Sequence, residues 1–323
     1  MLLFSNIKKY NPSINKYFVC KDILHHTNNA VIKDRGVYNS NILDLPNYIY
    51  YRSDIIQLYW YGNLKRYGPS SIELYENGKI ERERWYDSVY PIDEKYHRED
   101  GPAEIKFYQN GKISYEKWFD NGAIHRKDGP AVIYYYQNGK IKYEGWYENG
   151  VSHRYDGPAE IKFYQNGKIS YEKWYERGVF HRYDGPAEIG YYDNGKIQVE
   201  KWYEHGVFHR DANSMNSNSD IPYQGYAKIE YYPNGKIQYI LWAQNGKIHR
   251  KDGPARIEYY PNGKIEFMTW EQNDKIHRKD GPAEIEYYEN GQIKLENYLQ
   301  YGEFYREHGP PVIEYYENGQ IKL

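Results

Sequence analysis

A repeat of 28 residues runs through most of the 323-residue chain, and it constrains the fold more than any other feature. Histidines recur with this period, in two runs, at His97, His125, His153, His181, His209, and at His249 and His277. Tryptophans keep the same period at Trp118, Trp146, Trp174 and Trp202, and Trp242 and Trp270 resume it after an insertion. Such a chain is expected to stack one supersecondary unit on the next, so that each repeat contacts its neighbours.

The first half of each repeat has the pattern of a β-hairpin. Ala103, Ile105 and Phe107 alternate with polar residues, which predicts a strand, and the stretch from Lys112 to Phe119 predicts a second strand. An Asn-Gly pair separates the two strands, and two copies place Pro233 or Pro261 directly before it. Proline at that position favours a three-residue loop, a type I turn followed by a left-handed glycine.

These patterns predict an all-β fold, an extended antiparallel β-meander that advances by one hairpin per repeat. A β-solenoid is the alternative, and the chain-reversing turns disfavour it. We expect the repeat array to cover residues 58–323, with an irregular N-terminal cap at residues 1–57. Insertions near 87–96 and 211–224 both fall between a tryptophan and the next alanine-led strand.

Composition excludes several classes of protein. The formal net charge of −2 gives no general attraction to nucleic acid or to an anionic membrane, and Lys and Glu are interleaved along the chain. The single cysteine, Cys20, excludes an internal disulfide framework. No apolar stretch reaches the ~18 residues of a membrane helix. We therefore expect a soluble cytoplasmic protein with no nucleic-acid partner and no membrane partner.

The segment HRKDGPA, from His125 to Ala131, is the strongest candidate for reactive chemistry. Its His, Arg and Asp side chains could perform proton transfer, but the segment recurs in six places, and an enzyme rarely needs six copies of a catalytic loop. We interpret Asp128 and Gly129 as turn residues and expect the arginine to reach the carboxylate of its own or an adjacent turn. Equivalent histidines should lie about 10 Å apart, too far to share a zinc ion. We predict no catalytic residue, no metal site and no cofactor.

A row of tyrosines is the candidate interaction surface. They follow the first strand of each repeat, on the face opposite Ala and Ile, and should be partly exposed: Tyr108, Tyr136, Tyr164, Tyr192, Tyr232, Tyr260 and Tyr288. Stacking of these rings without any partner is the alternative. The tryptophans and the turn residues His125, Asp128 and Gly129 are interpreted as structural repeat positions.

The segment YEGWYENGVSHR resembles the MORN repeat, through Tyr143, Gly145, Trp146, Gly150 and His153. The HRxDGPA extension with NG and Trp also resembles repeat proteins of amoeba-infecting giant viruses and of phages. The resemblance implies a non-enzymatic scaffold that binds another protein, in the host cytoplasm or virion if the origin is viral. The alternatives are an assembly component that forms homo-oligomers edge to edge and a phospholipid-binding module. An enzyme with its chemistry in residues 1–57 is the least favoured class, because Cys20, His25 and His26 form no recognisable catalytic set.

Overall fold

The computed structural model describes residues 69–86, 95–210 and 225–322, together with the backbone of strands at 31–33, 48–52 and 55–59. It divides the chain into two compact units, unit 1 at residues 1–151 and unit 2 at residues 152–323. All regular elements among the described residues are strands, as predicted for an all-β protein. Most of the predicted cap, its Cys20, His25 and His26, and nearly all of both insertions lie outside the described residues.

In unit 1, the longer strands form an antiparallel meander in which each strand pairs with the next. They are Val31–Lys33, Tyr48–Arg52, Ile55–Tyr59, Ser71–Leu74, Ile80–Arg84, Glu104–Phe107, Ile113–Lys117, Val132–Tyr135 and Ile141–Gly145. The first three lie in or next to the predicted cap segment.

Unit 2 repeats the same arrangement, again with consecutive strands paired antiparallel. Its longer strands are Glu160–Phe163, Ile169–Lys173, Glu188–Tyr191, Ile197–Lys201, Lys228–Tyr231, Ile237–Leu241, Arg256–Tyr259, Ile265–Thr269, Glu284–Tyr287, Ile293–Asn297 and Val312–Glu314. The predicted meander is therefore confirmed within each unit.

The turn of the long hairpin has the predicted geometry. In the hairpin after Glu104–Phe107, the N–H of Gly111 donates to the carbonyl of Tyr108 at 2.8 Å, and Gly111 has a φ of 83°. The Asn110 side chain accepts from the N–H of Lys112 at 3.0 Å, which holds the loop closed. Because the left-handed region favours glycine, the Asn-Gly pair specifies this three-residue loop.

Each repeat contains a second, short hairpin that the sequence reading missed. The predicted strand from Lys112 to Phe119 ends at Lys117, and Trp118 lies outside any strand. Two-residue strands follow at Phe119–Asp120 and Ala123–Ile124, and then at Tyr147–Glu148 and Val151–Ser152. The boundary between the two units falls within Val151–Ser152. In unit 2 the short hairpins are Tyr175–Glu176 with Val179–Phe180, Tyr203–Glu204 with Val207–Phe208, Ala243–Gln244 with Lys247–Ile248, Glu271–Gln272 with Lys275–Ile276, and Leu299–Gln300 with Glu303–Phe304.

The short hairpin closes through two consecutive left-handed residues, the geometry of a type I′ turn. Asn121 has a φ of 48° and Gly122 a φ of 84°. Other repeats place less suitable residues at the first position, among them Arg177 with a φ of 47°. A side chain other than Asn, Asp or Gly is disfavoured there, because its Cβ approaches the following carbonyl oxygen.

This strain leads to a stability prediction. Arg177→Asn should raise the free energy of unfolding by about 0.5–1 kcal/mol, because asparagine tolerates the left-handed region better than arginine. Urea denaturation of the full chain measures the change. The reciprocal variant Asn245→Arg, at the equivalent turn position with a φ of 52°, should lower stability by a similar amount. Equal stability of both variants and the parent protein would contradict this account of the turn.

The main apolar cluster of unit 2 lies on one face of its meander. In unit 2, Ile229, Ile240 and Ile257 are direct partners on three successive strands, and they are 0%, 0% and 2% exposed. Trp242 and Tyr226 complete this cluster. The alanine directly before the first strand of each repeat is fully buried at Ala103, Ala131, Ala159, Ala187, Ala227, Ala255 and Ala283.

Candidate functional surface

The arginine of HRxDGPA stacks on the tryptophan of its own repeat. The guanidinium carbon lies 4.0–4.5 Å from the ring centroid in the pairs Arg98–Trp85, Arg126–Trp118, Arg182–Trp174, Arg210–Trp202, Arg250–Trp242 and Arg278–Trp270. In the last described repeat, Arg306 stacks in the same way on Tyr298, at 4.0 Å. A cation over an aromatic face is favourable, so the two signature residues stabilise each other.

The same arginine also holds the loop that it belongs to. Arg278 donates from Nε to Asp280 at 3.2 Å and from Nη1 to the carbonyl of Pro282 at 3.2 Å. This confirms the predicted ion pair within one turn, and it lowers the pKa of the Asp280 carboxyl. Gly281 has no left-handed φ; instead, a Cβ there would lie 3.0 Å from the Arg278 guanidinium carbon. Glycine therefore leaves room for the arginine.

The histidine of HRxDGPA connects one repeat to the next. Its Nδ1 accepts the N–H of the first turn residue of the following short hairpin, at 3.2–3.5 Å, in the pairs His97–Asn121, His125–Asn149, His153–Arg177, His181–His205, His209–Asn245 and His277–Tyr301. Among the described residues, no three His, Cys, Asp or Glu side chains come together as a metal site. In the geometry observed, the repeated histidine is a hydrogen-bond acceptor between repeats.

On the core face, some second strands place a carboxylate beside a tyrosine. The tyrosine hydroxyl donates to the carboxylate at 2.7–2.9 Å in the pairs Tyr135–Glu116, Tyr191–Glu172, Tyr231–Glu200 and Tyr315–Glu296. Burial raises the pKa of Glu200 above its usual 4.5, and the Tyr231 hydroxyl and two arginines offset part of this effect. Ile240 and Met268 occupy the equivalent position in later repeats, where the core cluster is apolar.

The raised pKa of Glu200 predicts a pH-dependent stability difference. The folded state holds the proton more tightly than the unfolded chain, so ionising Glu200 lowers the free energy of unfolding as pH rises from about 4.5 through the folded pKa. The free energy of unfolding of Glu200→Gln, relative to that of the parent protein, should therefore increase as the pH rises from 4 to 7. Urea denaturation at both pH values measures this difference. A difference that stays constant with pH would show that Glu200 does not titrate with a raised pKa.

The predicted tyrosine row is half-buried, and its hydroxyls hold the next repeat. Six of these hydroxyls donate to a backbone carbonyl of the following repeat at 2.6–2.9 Å, in the pairs Tyr108–Tyr135, Tyr164–Tyr191, Tyr192–Tyr231, Tyr232–Tyr259, Tyr260–Tyr287 and Tyr288–Tyr315. Tyr136, at the equivalent position, is half-buried as well. The rings are thus fixed in place with one side open to water, and their predicted role in binding stays a prediction.

In unit 2 the tyrosine row borders the sheet face opposite the core, which we call the outer face. One row of side chains lies on this face, because each residue in the row is the direct cross-strand partner of the next. The row is Glu230, Tyr239, Glu258, Phe267, Glu286 and Leu295. Tyr171 and Val199 occupy the central position in the earlier repeats of the unit, and Lys162 lies beside Tyr171. The outer face therefore carries a central apolar row flanked by charged side chains.

A shallow depression lies on the outer face. It is lined by Lys228, Glu230, Tyr232, Gln238, Tyr239, Glu258, Tyr259 and Glu266. The Lys228 ammonium lies 5.0 Å from the centroid of the Tyr239 ring and 2.6 Å from Glu230. Burial, together with nearby carboxylates, raises the pKa of Tyr239 to about 12. Burial is also the main cause of the raised pKa of Glu258, and repulsion from Glu266 and Glu230 adds to it.

Sequence reasoning identified Tyr232 and its equivalents but missed the residues beside them. The central apolar row and the residue at the Glu266 position vary from repeat to repeat, and the glutamate at the Glu258 position recurs in only some repeats, Glu230 and Glu286 among them, so a search for residues common to all repeats passed over them. The signal that could have found them is the strand alternation, which places every second residue of both long strands on the outer face.

One comparison with known proteins identifies the repeat. A family model described as "MORN repeat variant" matches residues 228–241 and 283–300. No curated protein matches the sequence. A solved structure titled "Crystal Structure of TcdB2-TccC3-Cdc42" is 12% identical over 83% of this chain, with a TM-score of 0.15. Another, "Crystal Structure of TcdB2-TccC3", is 11% identical over 77% of this chain, with a TM-score of 0.12. This chain spans 16% and 19% of the length of those two chains.

Among the described residues there is no helix long and apolar enough to cross a membrane. The comparisons do not bear on the predicted resemblance to viral and phage repeat proteins, which stays a prediction. The match at 228–241 spans a long hairpin, and the match at 283–300 spans a long hairpin with the first strand of the short hairpin that follows. The chain therefore contains MORN-like repeats.

Proposed function

We propose that the protein is a non-enzymatic scaffold that binds another protein along the outer face of unit 2. MORN repeats fit a protein with binding or scaffold roles, which supports this class of function. The observation that carries the proposal is the open sheet face, with half-buried Tyr171, Tyr239 and Phe267 beside charged side chains. Aromatic residues within a polar surround are typical of protein interfaces.

The anchored tyrosine row gives this surface a low entropic cost of binding. Tyr232 and Tyr260 already donate their hydroxyls to the next repeat, so their rings lose little freedom when a partner packs on them. The HRxDGPA loops support the non-enzymatic assignment, because their arginine and histidine make the same structural contacts in successive repeats. Phospholipid binding is less favoured, because the depression has three carboxylates and one lysine.

Site-specific photo-crosslinking tests this proposal. The photoreactive residue benzoylphenylalanine would replace Lys162 or Gln238 on the outer face, in the full chain produced in its native cells. Lys279 and Glu303, which are exposed elsewhere in unit 2, provide the control positions. We expect one and the same protein to be crosslinked from both outer-face positions and from neither control. Equal crosslinking at all four positions, or none at Lys162 and Gln238, would contradict the proposal.

A further inference from the structure

The outer face of unit 2 differs in charge along its length. In the earlier repeats it carries Lys162, Lys173 and Lys201 beside the apolar row, and Glu160 and Glu188 lie directly opposite Lys173 and Lys201. From Lys228 onward, carboxylates predominate at Glu230, Glu258, Glu266 and Glu286. Equivalent positions in the array carry opposite charges. The charge on this part of the face therefore differs from one repeat to the next and is not fixed by the recurring residues.

Some of these carboxylates have partners within the face, and some do not. Glu230 pairs with Lys228 at 2.6 Å, and Glu286 pairs with Lys294 at 2.6 Å. Arg256 lies 3.3 Å from Glu271. Within the described part of the chain, Glu258 and Glu266 make no ion pair within 4 Å. Burial raises the pKa of Glu258, attraction to Arg256 opposes this change, and repulsion from Glu266 and Glu230 adds to it.

Aromatic rings lie next to the two unpaired carboxylates. Tyr232 and Tyr239 line the same depression as Glu258 and Glu266, and Glu266 also acts on the pKa of both Tyr232 and Tyr260. An aromatic ring attracts a cation through its face, and a carboxylate adds charge attraction and hydrogen-bond acceptors. Lys228 over Tyr239 shows that this surface already accommodates an ammonium group.

The partner should be extended rather than small. The depression is shallow, and the rings at Tyr239 and Phe267 lie two strands apart, or roughly 10 Å. An extended segment in the polyproline II conformation rises about 3.1 Å per residue with three residues per turn, so every third side chain points the same way and could meet one step of this row. We propose that the face from Lys228 to Leu295 binds an extended basic segment of a partner protein, whose Lys or Arg side chains enter between Tyr232, Glu258 and Glu266. This rests on the proposed binding function and names the chemistry of the partner.

A labelled octa-lysine peptide tests the inference, with binding to the full chain followed by fluorescence anisotropy at low ionic strength. Removing both unpaired charges, by Glu258→Gln with Glu266→Gln, should weaken binding about tenfold, equivalent to ~1.4 kcal/mol. The matched control, Glu303→Gln with Glu307→Gln, removes the same charge from exposed positions elsewhere in unit 2 and should change the affinity less than about twofold. Tyr239→Leu, which introduces the residue found at the equivalent Leu295, should also weaken binding.

Three outcomes would overturn the inference. These are no binding of octa-lysine to the parent protein, equal weakening by the two double variants, and binding of octa-glutamate as tight as that of octa-lysine. Thermal unfolding of each variant checks that it folds. If photo-crosslinking from Gln238 captures a partner whose binding octa-lysine does not displace, the basic-segment inference fails and the binding function stands. If neither outer-face position crosslinks, the binding function itself fails.

Discussion

Trp242→Ala should lower the free energy of unfolding of unit 2 by about 3–5 kcal/mol, the usual loss for truncating a large buried aromatic side chain. Trp242 is 4% exposed and packs with Ile229, Ile240 and Ile257, so alanine would leave a cavity that these side chains cannot fill. It would also remove the ring on which Arg250 stacks at 4.0 Å. Urea or thermal denaturation, followed by circular dichroism, measures the loss.

Tyr155→Ala provides the control for this prediction. Tyr155 is 89% exposed in the same unit, and its removal should change stability by no more than about 0.5 kcal/mol. A similar effect of the two substitutions would mean that Trp242 does not lie in the core. Because stability in a repeat array is a sum of local and nearest-neighbour terms, a broadened transition is also expected when a central repeat is weakened.

Arg278→Ala should have the second largest effect, a loss of about 2–3 kcal/mol. It removes the cation over Trp270 and the hydrogen bonds to Asp280 and Pro282, and it leaves the Pro282 carbonyl without this donor. Arg278→Lys should recover part of the lost stability, because lysine keeps the positive charge. It lacks the planar guanidinium group, which can hydrogen-bond and stack on the tryptophan ring at the same time. Thermal unfolding of the full chain compares these variants.

The neighbouring position provides the control for Arg278. Lys279 is exposed and lies in the same loop, and Lys279→Ala should leave stability within about 0.5 kcal/mol of the parent protein. If Arg278→Ala is as mild as Lys279→Ala, the arginine does not hold the loop. The repeated HRxDGPA segment would then require a different explanation from the one that its contacts give.

Short sequence patterns predicted the long strands and their turns, because neighbouring residues in the chain determine these elements. The alternation at Ala103, Ile105 and Phe107 predicted a strand, and Asn-Gly with a preceding proline predicted the three-residue turn. The short hairpin was missed because Trp118 and Phe119 extend the strand pattern past its end. The second Asn-Gly pair, at Asn121, was the available signal, since two such residues between short apolar runs specify a type I′ turn.

Contacts between repeats could not be predicted in the same way. The Tyr108 hydroxyl bonds a carbonyl 27 residues ahead, and the His125 imidazole accepts an N–H 24 residues ahead. These pairings depend on how one repeat is placed on the next, and a single repeat does not encode that placement. The charges at Glu258 and Glu266 escaped notice for the opposite reason, because glutamate occupies each of these two positions in only some of the repeats.

The central claim is that the recurring residues hold successive repeats together and leave the outer face of unit 2 to bind a partner. Native-state amide hydrogen exchange tests the first part most directly, at the glycines of the short-hairpin turns. The N–H groups of Gly178, Gly206, Gly246 and Gly302 lie in exposed turns, yet they donate at 2.8–3.1 Å to carbonyls of the preceding repeat. We predict slow exchange at these glycines and fast exchange at the exposed amide of Lys279. Fast exchange at the glycines, while amides of the long strands stay protected, would contradict the claim.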